Sequence, residues 1–320
     1  MASVHVDADS RLSRQSGYLT GAACGLAAVS IWASWHVLTR LAVTTNLDAN
    51  DITALRFGVA GLLLSPVVVR HGFALDRLRW SGLAVLICGL GAPYALVAAA
   101  GLRFAPAYDS GALNPGSMPL FVALIAATLR LEQLGTTRKL GLLLIAGGAV
   151  LIMGMPTDVL RAGWNTSRSL GDLLFLAAGL LSAGSTLVIR RTSLDPLHAT
   201  AIIATGSLVI YLPVYIFLHG SDLTRISPSD LIIQTLFQGV LVTIMGVFLY
   251  GRAIAALGAS GGAAFGALVP VLAALFAIPL LGEWPNTIGW AGIGLISAGV
   301  YLASGAPLPI SKAWVGGFHR

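Results

Sequence analysis

MPLFVALIAATLRLEQLGTTRKLGLLLIAGGAVLIMG, residues 118–154, returns 151 residues later as VPVLAALFAIPLLGEWPNTIGWAGIGLISAGVYLASG, residues 269–305. The two stretches align without a gap and are identical at 13 of 37 positions. The informative matches are Pro119/Pro270, Glu132/Glu283, Gly141/Gly292, Gly148/Gly299 and Gly154/Gly305. An internal repeat of this length sets the architecture, so the remainder of the chain is read around it. Each copy has the same plan. An apolar helix carrying a proline ends at a glutamate, a polar break follows, and a glycine-dotted apolar helix comes next. The glutamates are expected to reach water or headgroups, and the glycines to let helices approach closely, as they do in lipid.

Hydrophobic residues make up 56% of the chain and charged residues 10%, where a soluble domain carries about 25% charged. The chain therefore reads as an all-α integral membrane protein. Its formal charge of +6 does not point to nucleic acid, because the basic residues lie between apolar segments and form no aromatic-interleaved groove. The polar first residues lack the apolar core of a signal peptide. Cys24 and Cys88 both fall inside apolar segments, where they read as packing residues, without metal-ligand spacing.

Ten segments approach the ~20 residues a bilayer needs: 18–39, 51–69, 80–102, 107–129, 138–156, 170–189, 197–218, 229–250, 259–281 and 287–305. The joins Arg103 to Pro106 and Gly251 to Gly258 are expected to hide tight turns. With a cytoplasmic N-terminus, 13 Lys and Arg fall inside and 5 outside, and Arg56 lies within a segment. The positive-inside rule then puts both termini in the cytoplasm. Five segments per copy is an odd number, so the second copy must enter the membrane from the opposite side. This gives ten transmembrane helices in two inverted five-helix repeats, a plan shared by many secondary transporters. The expected organisation is an N-terminal tail (1–17), a first repeat (18–156), an external linker (157–169), a second repeat (170–305) and a cytoplasmic tail (306–320).

The two five-segment halves, the Pro-x(12)-Glu pattern with trailing glycines, and Arg56 early in the second segment resemble the drug/metabolite transporter superfamily, in its EamA-like branch. The resemblance spans about 18–305. It implies a ten-helix bundle in which helices one to four and six to nine line a central cavity. It also implies alternating access, export of a small metabolite, and residence in a bacterial inner membrane. The polar start of the fourth segment, Tyr108-Asp109-Ser110 with Asn114, departs from the pattern.

Ionisable groups within a membrane are functional candidates by default. Arg56 is a fixed cation able to bind a substrate carboxylate; the alternative is a structural arginine that snorkels or pairs with Asp109. Trp32, Trp35 and His36 share one helical face, either as an aromatic wall of a site or as a headgroup-level belt. Gly89, Gly91 and Pro93 predict a kinked third helix beside Tyr94. Pro115 and Pro119 predict the same for the fourth, near Asn114. Tyr94, Asn114, Ser182, Ser185 and Gln238 complete the cavity candidates, each with helix–helix bonding as the alternative. Asp109 and Asp172 start outward-facing helices, where the N-terminal dipole is a sufficient reason for an acid. No acid is placed at the midplane, so facilitated diffusion or antiport is expected ahead of proton antiport.

The chain reads as a transporter of a small molecule, with amino acids and related carboxylates leading and an apolar or cationic drug-like cargo as the rival. The expected surroundings are the lipid bilayer, with a homodimer left open, and no cofactor or metal. A non-transporting receptor or scaffold is the alternative class. Catalysis is not expected: Gly258-Ala259-Ser260-Gly261 resembles the serine motif of intramembrane proteases, but the one later histidine is His319, in the tail. No nucleotide-binding motif is present.

Overall fold

The computed structural model describes residues 2–130, 134–154, 166–219 and 227–305. Glu132, most of the linker and the tail 306–320 lie outside the described residues. The described chain is helical: α1 (Ala2–Thr45), α2 (Ala49–His71), α3 (Leu75–Leu90), α4 (Ala92–Phe104), α5 (Ala107–Thr128) and α6 (Thr136–Ile152) form the first half. The second half holds α7 (Thr166–Thr192), α8 (Pro196–His219), α9 (Pro228–Gln234), a π-helix (Thr235–Met245), α10 (Gly246–Gly266), α11 (Val269–Leu281) and α12 (Thr287–Ala303). Among the described residues, eight helical stretches are long and apolar enough to cross a membrane, and α12 is a shorter apolar helix.

The halves are interleaved. α1 packs on α10 and α11, α2 on α8, α5 on α7 and α11, and α6 on α12. The α6–α12 seam uses the repeated glycines. A Cβ on Gly148 would sit 2.7 Å from the Gly292 carbonyl oxygen, and one on Gly141 would sit 2.7 Å from that of Gly299. Gly292 and Gly299 are the repeat counterparts of Gly141 and Gly148, so each position meets the other's counterpart. This reciprocity is what a two-fold axis produces, and the absent side chains let backbones meet.

The predicted kink in the third segment is a full break. α3 and α4 meet at Gly91, whose backbone (φ −95°, ψ −147°) is not helical. Ser207 Oγ of α8 accepts the Ala92 N–H at 3.0 Å, which caps α4 from the other half. The fourth segment differs from expectation: α5 runs unbroken through Pro115 and Pro119. Its neighbours pack onto small residues, Ala273 against Gly111 and Ile296 against Gly116. In the second copy the break falls before Pro270, with α10 ending at Gly266 and α11 starting at Val269. The expected turn at 251–258 contracts to Gly258 alone, at φ +81°, so the span expected to end at 250 runs on to Gly258.

α2 begins with a capping box, a reciprocal arrangement that satisfies two orphan N–H groups. Asp48 accepts from the Asn50 and Asp51 amides, and Asp51 returns a bond to the Asp48 amide. Burial works against charge on Asp48, but these hydrogen bonds outweigh it and hold the carboxyl below its usual range. Tyr215 of α8 adds a 2.6 Å bond to Asp51.

Candidate functional site

Two irregularities stand at equivalent places in the halves. Gly91, where α3 and α4 part, corresponds by the 151-residue offset to Val242, inside the π-helix. A π-helix widens the backbone and often marks a functional site. Membrane helices tolerate such departures where protein or a cavity surrounds them.

Gln238, on the π-helix and 0% exposed, is a hub. Trp35 Nε1 donates to its Oε1 at 2.9 Å. An indole is only a donor, so the amide oxygen must face Trp35. The amide nitrogen then donates to Thr39 Oγ1 and Gln234 Oε1, each at 3.2 Å. Five residues on, Thr243 Oγ1 donates to the Gln238 carbonyl at 2.8 Å and accepts from Arg56 Nε at 3.1 Å. The Arg56 guanidinium also lies 5.8 Å from the Trp35 ring centroid and 5.3 Å from that of Phe57, within cation–π range. Trp32 completes the wall. Its Nε1 reaches the Val242 carbonyl at 3.4 Å, its ring lies 5.1 Å from Tyr250, and Gly246 leaves room for it, since a Cβ there would be 2.7 Å from Nε1.

Asp109 does not neutralise Arg56; it pairs with Arg168 instead. Among the described residues no carboxylate bonds Arg56, and its one side-chain hydrogen bond is that of Nε to Thr243. Tyr94 lies within electrostatic reach of Arg56. The Tyr94 hydroxyl accepts from Asn114 Nδ2 at 3.1 Å, which leaves its own proton free to donate. Arg56, Trp32, Trp35, Tyr94, Asn114 and Gln238 therefore form one constellation of a cation, two indoles, a phenol and two amides.

The other sequence candidates go elsewhere. Trp35 and His36 are each 4% exposed, so neither belongs to a headgroup belt. His36 turns away to Ser110, with Nδ1 and Oγ 2.8 Å apart. Ser182 bonds the Gly179 carbonyl of its own helix, and Ser185 bonds the Val85 carbonyl of α3 at 2.8 Å. Ser185 ties α7 to α3, and Gly89 lets α3 press onto α7: a Cβ there would lie 2.3 Å from the Leu181 carbonyl oxygen. Tyr250 meets Trp32 with the two rings tilted by 56°.

Glu283 was expected to face water or headgroups. It is instead a partly buried bridge, accepting from Arg40 Nε at 3.0 Å and from the Ala107 amide at 2.7 Å. It thus caps α5 from outside that helix, satisfying an N–H that the helix cannot. Arg40 also bonds the Leu102 carbonyl. Sequence reasoning missed Thr243 and Thr39, since a threonine in an apolar run carries no signal, and nothing in residues 235–245 announces a π-helix.

The sequence model of the EamA-like transporter family matches residues 19–154 and 169–305, one match per half. An uncharacterized protein of Pseudomonas aeruginosa is 31% identical over 246 residues, covering 75% of this chain and 78% of that protein. A probable terminal-alkyne amino-acid exporter of Streptantibioticus cattleyicolor is 27% identical over 289 residues, covering 85% and 92%. An uncharacterized Bacillus subtilis transporter, YwfM, is 26% identical over 139 residues, covering 43% and 46%. A solved crystal structure of a protein superposes with a TM-score of 0.54 at 22% identity, over 90% of this chain and 95% of that one, which establishes a shared fold.

Proposed function

Because the chain belongs to the EamA-like transporter family, we propose that it is a secondary transporter exporting a small metabolite with a carboxylate, such as an amino acid, by alternating access. The observation that carries this reading is Arg56: a guanidinium inside a membrane span with indole and phenyl rings beside it, its Nε bound to Thr243, and no carboxylate of the described residues against it. A cation in that setting is costly, and a substrate carboxylate is the partner that compensates it while using the fork of Nη donors. Tyr94 and Asn114 offer a hydroxyl and an amide to the polar remainder, and Trp32 and Trp35 an apolar wall. The similarity to a probable amino-acid exporter supports this cargo class.

In this reading the ten expected segments form two inverted repeats, 18–156 and 170–305. The reciprocal α6–α12 glycine seam and the matched irregularities at Gly91 and the π-helix support the inversion. The balance of Lys and Arg supports cytoplasmic termini in a bacterial inner membrane. Arg40 and Glu283 then lie at the outer end, where first-repeat and second-repeat residues hold each other closed.

Thermal stabilisation of the purified protein by amino acids, organic anions and lipophilic cations tests the cargo class, since a ligand favouring the folded state raises the Tm by mass action. A carboxylate series is expected to stabilise the wild type. Arg56→Ala should weaken that binding about 10- to 150-fold, the loss of a charged hydrogen-bond pair. Stabilisation by lipophilic cations alone, unchanged in Arg56→Ala, refutes the reading. Flux of the stabilising carboxylate in vesicles then tests transport.

A further inference from the structure

Near the Arg40–Glu283 bridge lies a second group of charges. Asp109 in the first turn of α5 is 0% exposed. Arg168 of α7 grips it with both ends of the guanidinium, Nε to Oδ2 at 2.9 Å and Nη2 to Oδ1 at 3.3 Å. Asp172, in the second turn of α7, is 1% exposed, and neither carboxyl oxygen accepts a bond from any donor. It does not cap its helix. Its neighbour is the Asp109 carboxyl, with which it can bond only when one of the two carries a proton.

The surrounding charges leave little choice. α5 adds Tyr108, the segment between α11 and α12 adds Glu283, and α1 adds Arg40, already balanced by Glu283. His36 of α1 faces the adjacent Ser110. α4 and the residue after it meet α7 through Gly101 and Ala105, and the charged residue of α4, Arg103, is exposed. The charged residues of α6, Arg138 and Lys139, sit in its first turn, at the opposite end of the bundle. Among the described residues, one guanidinium, that of Arg168, therefore faces two buried carboxyls. With a single proton between them the group is neutral; without it, a negative charge is buried uncompensated, and such a charge is expensive. Two carboxyls sharing a site do not both ionise readily.

The repeat shows that the fold does not require this group. The counterparts of Arg40 and Glu283 are Arg191 and Glu132, so the arginine and the glutamate recur. The counterparts of Asp109, Arg168 and Asp172 are Ser260, Gly17 and Gly21. The carboxyl pair exists at one end only.

We propose that Asp109 and Asp172 together bind one proton, and that its release to water accompanies opening of this end of the bundle. Protonated, the buried pair and the partly exposed Arg168 form a neutral unit across the two repeats. Deprotonated, the group carries net negative charge and gains by hydration, which requires α5 and α7 to part. Identifying this end as the outer one rests on the topology given above; the proton count does not.

Infrared spectroscopy of the purified full-length protein in lipid counts protonated carboxyls by their C=O stretch. At neutral pH the wild type should show one protonated carboxyl that is missing from both Asp172→Asn and Asp109→Asn, because the remaining acid pairs with Arg168. Arg168→Gln should gain one, and it tests the same count should the Asn variants not fold. Absence of a protonated band in the wild type, or identical spectra in every variant, overturns the proposal. Spin labels at the exposed positions Leu41 and Leu170, with Cys24 and Cys88 replaced by alanine, read the opening. Their separation should lengthen as pH rises in the wild type and stay constant in Asp172→Asn. A separation indifferent to pH overturns the link to opening. Neither readout uses a substrate, so failure here is separate from failure of the carboxylate reading.

Discussion

Neutralising Glu283 without changing its shape separates two roles that its carboxylate combines. Oε1 holds Arg40 and Oε2 holds the Ala107 amide. In Glu283→Gln the amide oxygen still accepts from Ala107, so the cap survives and the ion pair is lost. The two side chains are 20% and 16% exposed. Fully exposed pairs contribute roughly 0–1 kcal/mol, and breaking a buried pair costs about 3–5 kcal/mol. A pair between these limits is expected to cost about 2 kcal/mol when one partner is neutralised, close to 30-fold in an equilibrium constant. Glu283→Ala also orphans the Ala107 N–H, which adds about 1 kcal/mol. Arg40→Met should match Glu283→Gln, and the double variant should cost little more than either alone, giving a coupling of about 1–2 kcal/mol. Reversible unfolding in mixed detergent micelles measures the four variants and the wild type. A Glu283→Gln variant within about 0.5 kcal/mol of the wild type would refute the reasoning, since the pair would then be screened like any surface contact. Additive single costs would refute it as well, because Arg40 and Glu283 would not be acting on each other.

Three further outcomes are expected. Gln238→Leu orphans the buried Trp35 N–H and should lower stability by about 1–3 kcal/mol, with a red-edge change in tryptophan fluorescence as Trp35 loses its fixed partner; unchanged stability would mean the hub is not formed. Gly148→Val, whose Cβ would sit 2.7 Å from the Gly292 carbonyl, should abolish folded protein on size-exclusion chromatography. Gly147→Ala, which meets nothing within 4 Å, should be at least as stable as the wild type, so equal effects at both sites would dismiss the seam. Asp48→Ala should cost about 1 kcal/mol at neutral pH through the lost cap. The folded Asp48 carboxyl titrates below its unfolded value, so its contribution is present above the unfolded pKa and fades as pH falls through the folded one. The gap between variant and wild type should therefore close on acidification, and a gap constant down to strongly acidic pH would contradict the capping account.

The parts of the fold visible in the sequence were those written twice. Gly141, Gly148, Gly292 and Gly299 stand out because the repeat isolates them from the chain's other glycines, and they form the α6–α12 seam. Gly91 and Pro93 announce the α3–α4 break because neither residue suits a helix interior. The π-helix is silent, since its apolar pattern serves an α-helix equally well and the extra backbone width comes from packing against Trp32 and Trp35, some 200 positions away. Arg56 is legible as a charge in an apolar run, whereas its hold on Thr243 is not. Asp172 misleads a local reading. The helix dipole explains an acid in a first turn, but this one lies in the second turn, and its meaning depends on Asp109 brought to it by α5.

The bridge between Arg40 and Glu283 spans 243 residues of chain, and the Asp109–Arg168 pair crosses from one half to the other. During synthesis the first half therefore enters the membrane with Arg40 and Asp109 still waiting for partners, and α1, α2, α5 and α6 each lack the surface they pack on. Charge matching is completed only when the final spans arrive, so the first half emerges as an intermediate with its polar groups unmet, exposed to quality-control proteases and membrane chaperones. A ribosome stalled after residue 154 should hold a chain that such proteases degrade, and one stalled beyond the last helix a chain that they spare.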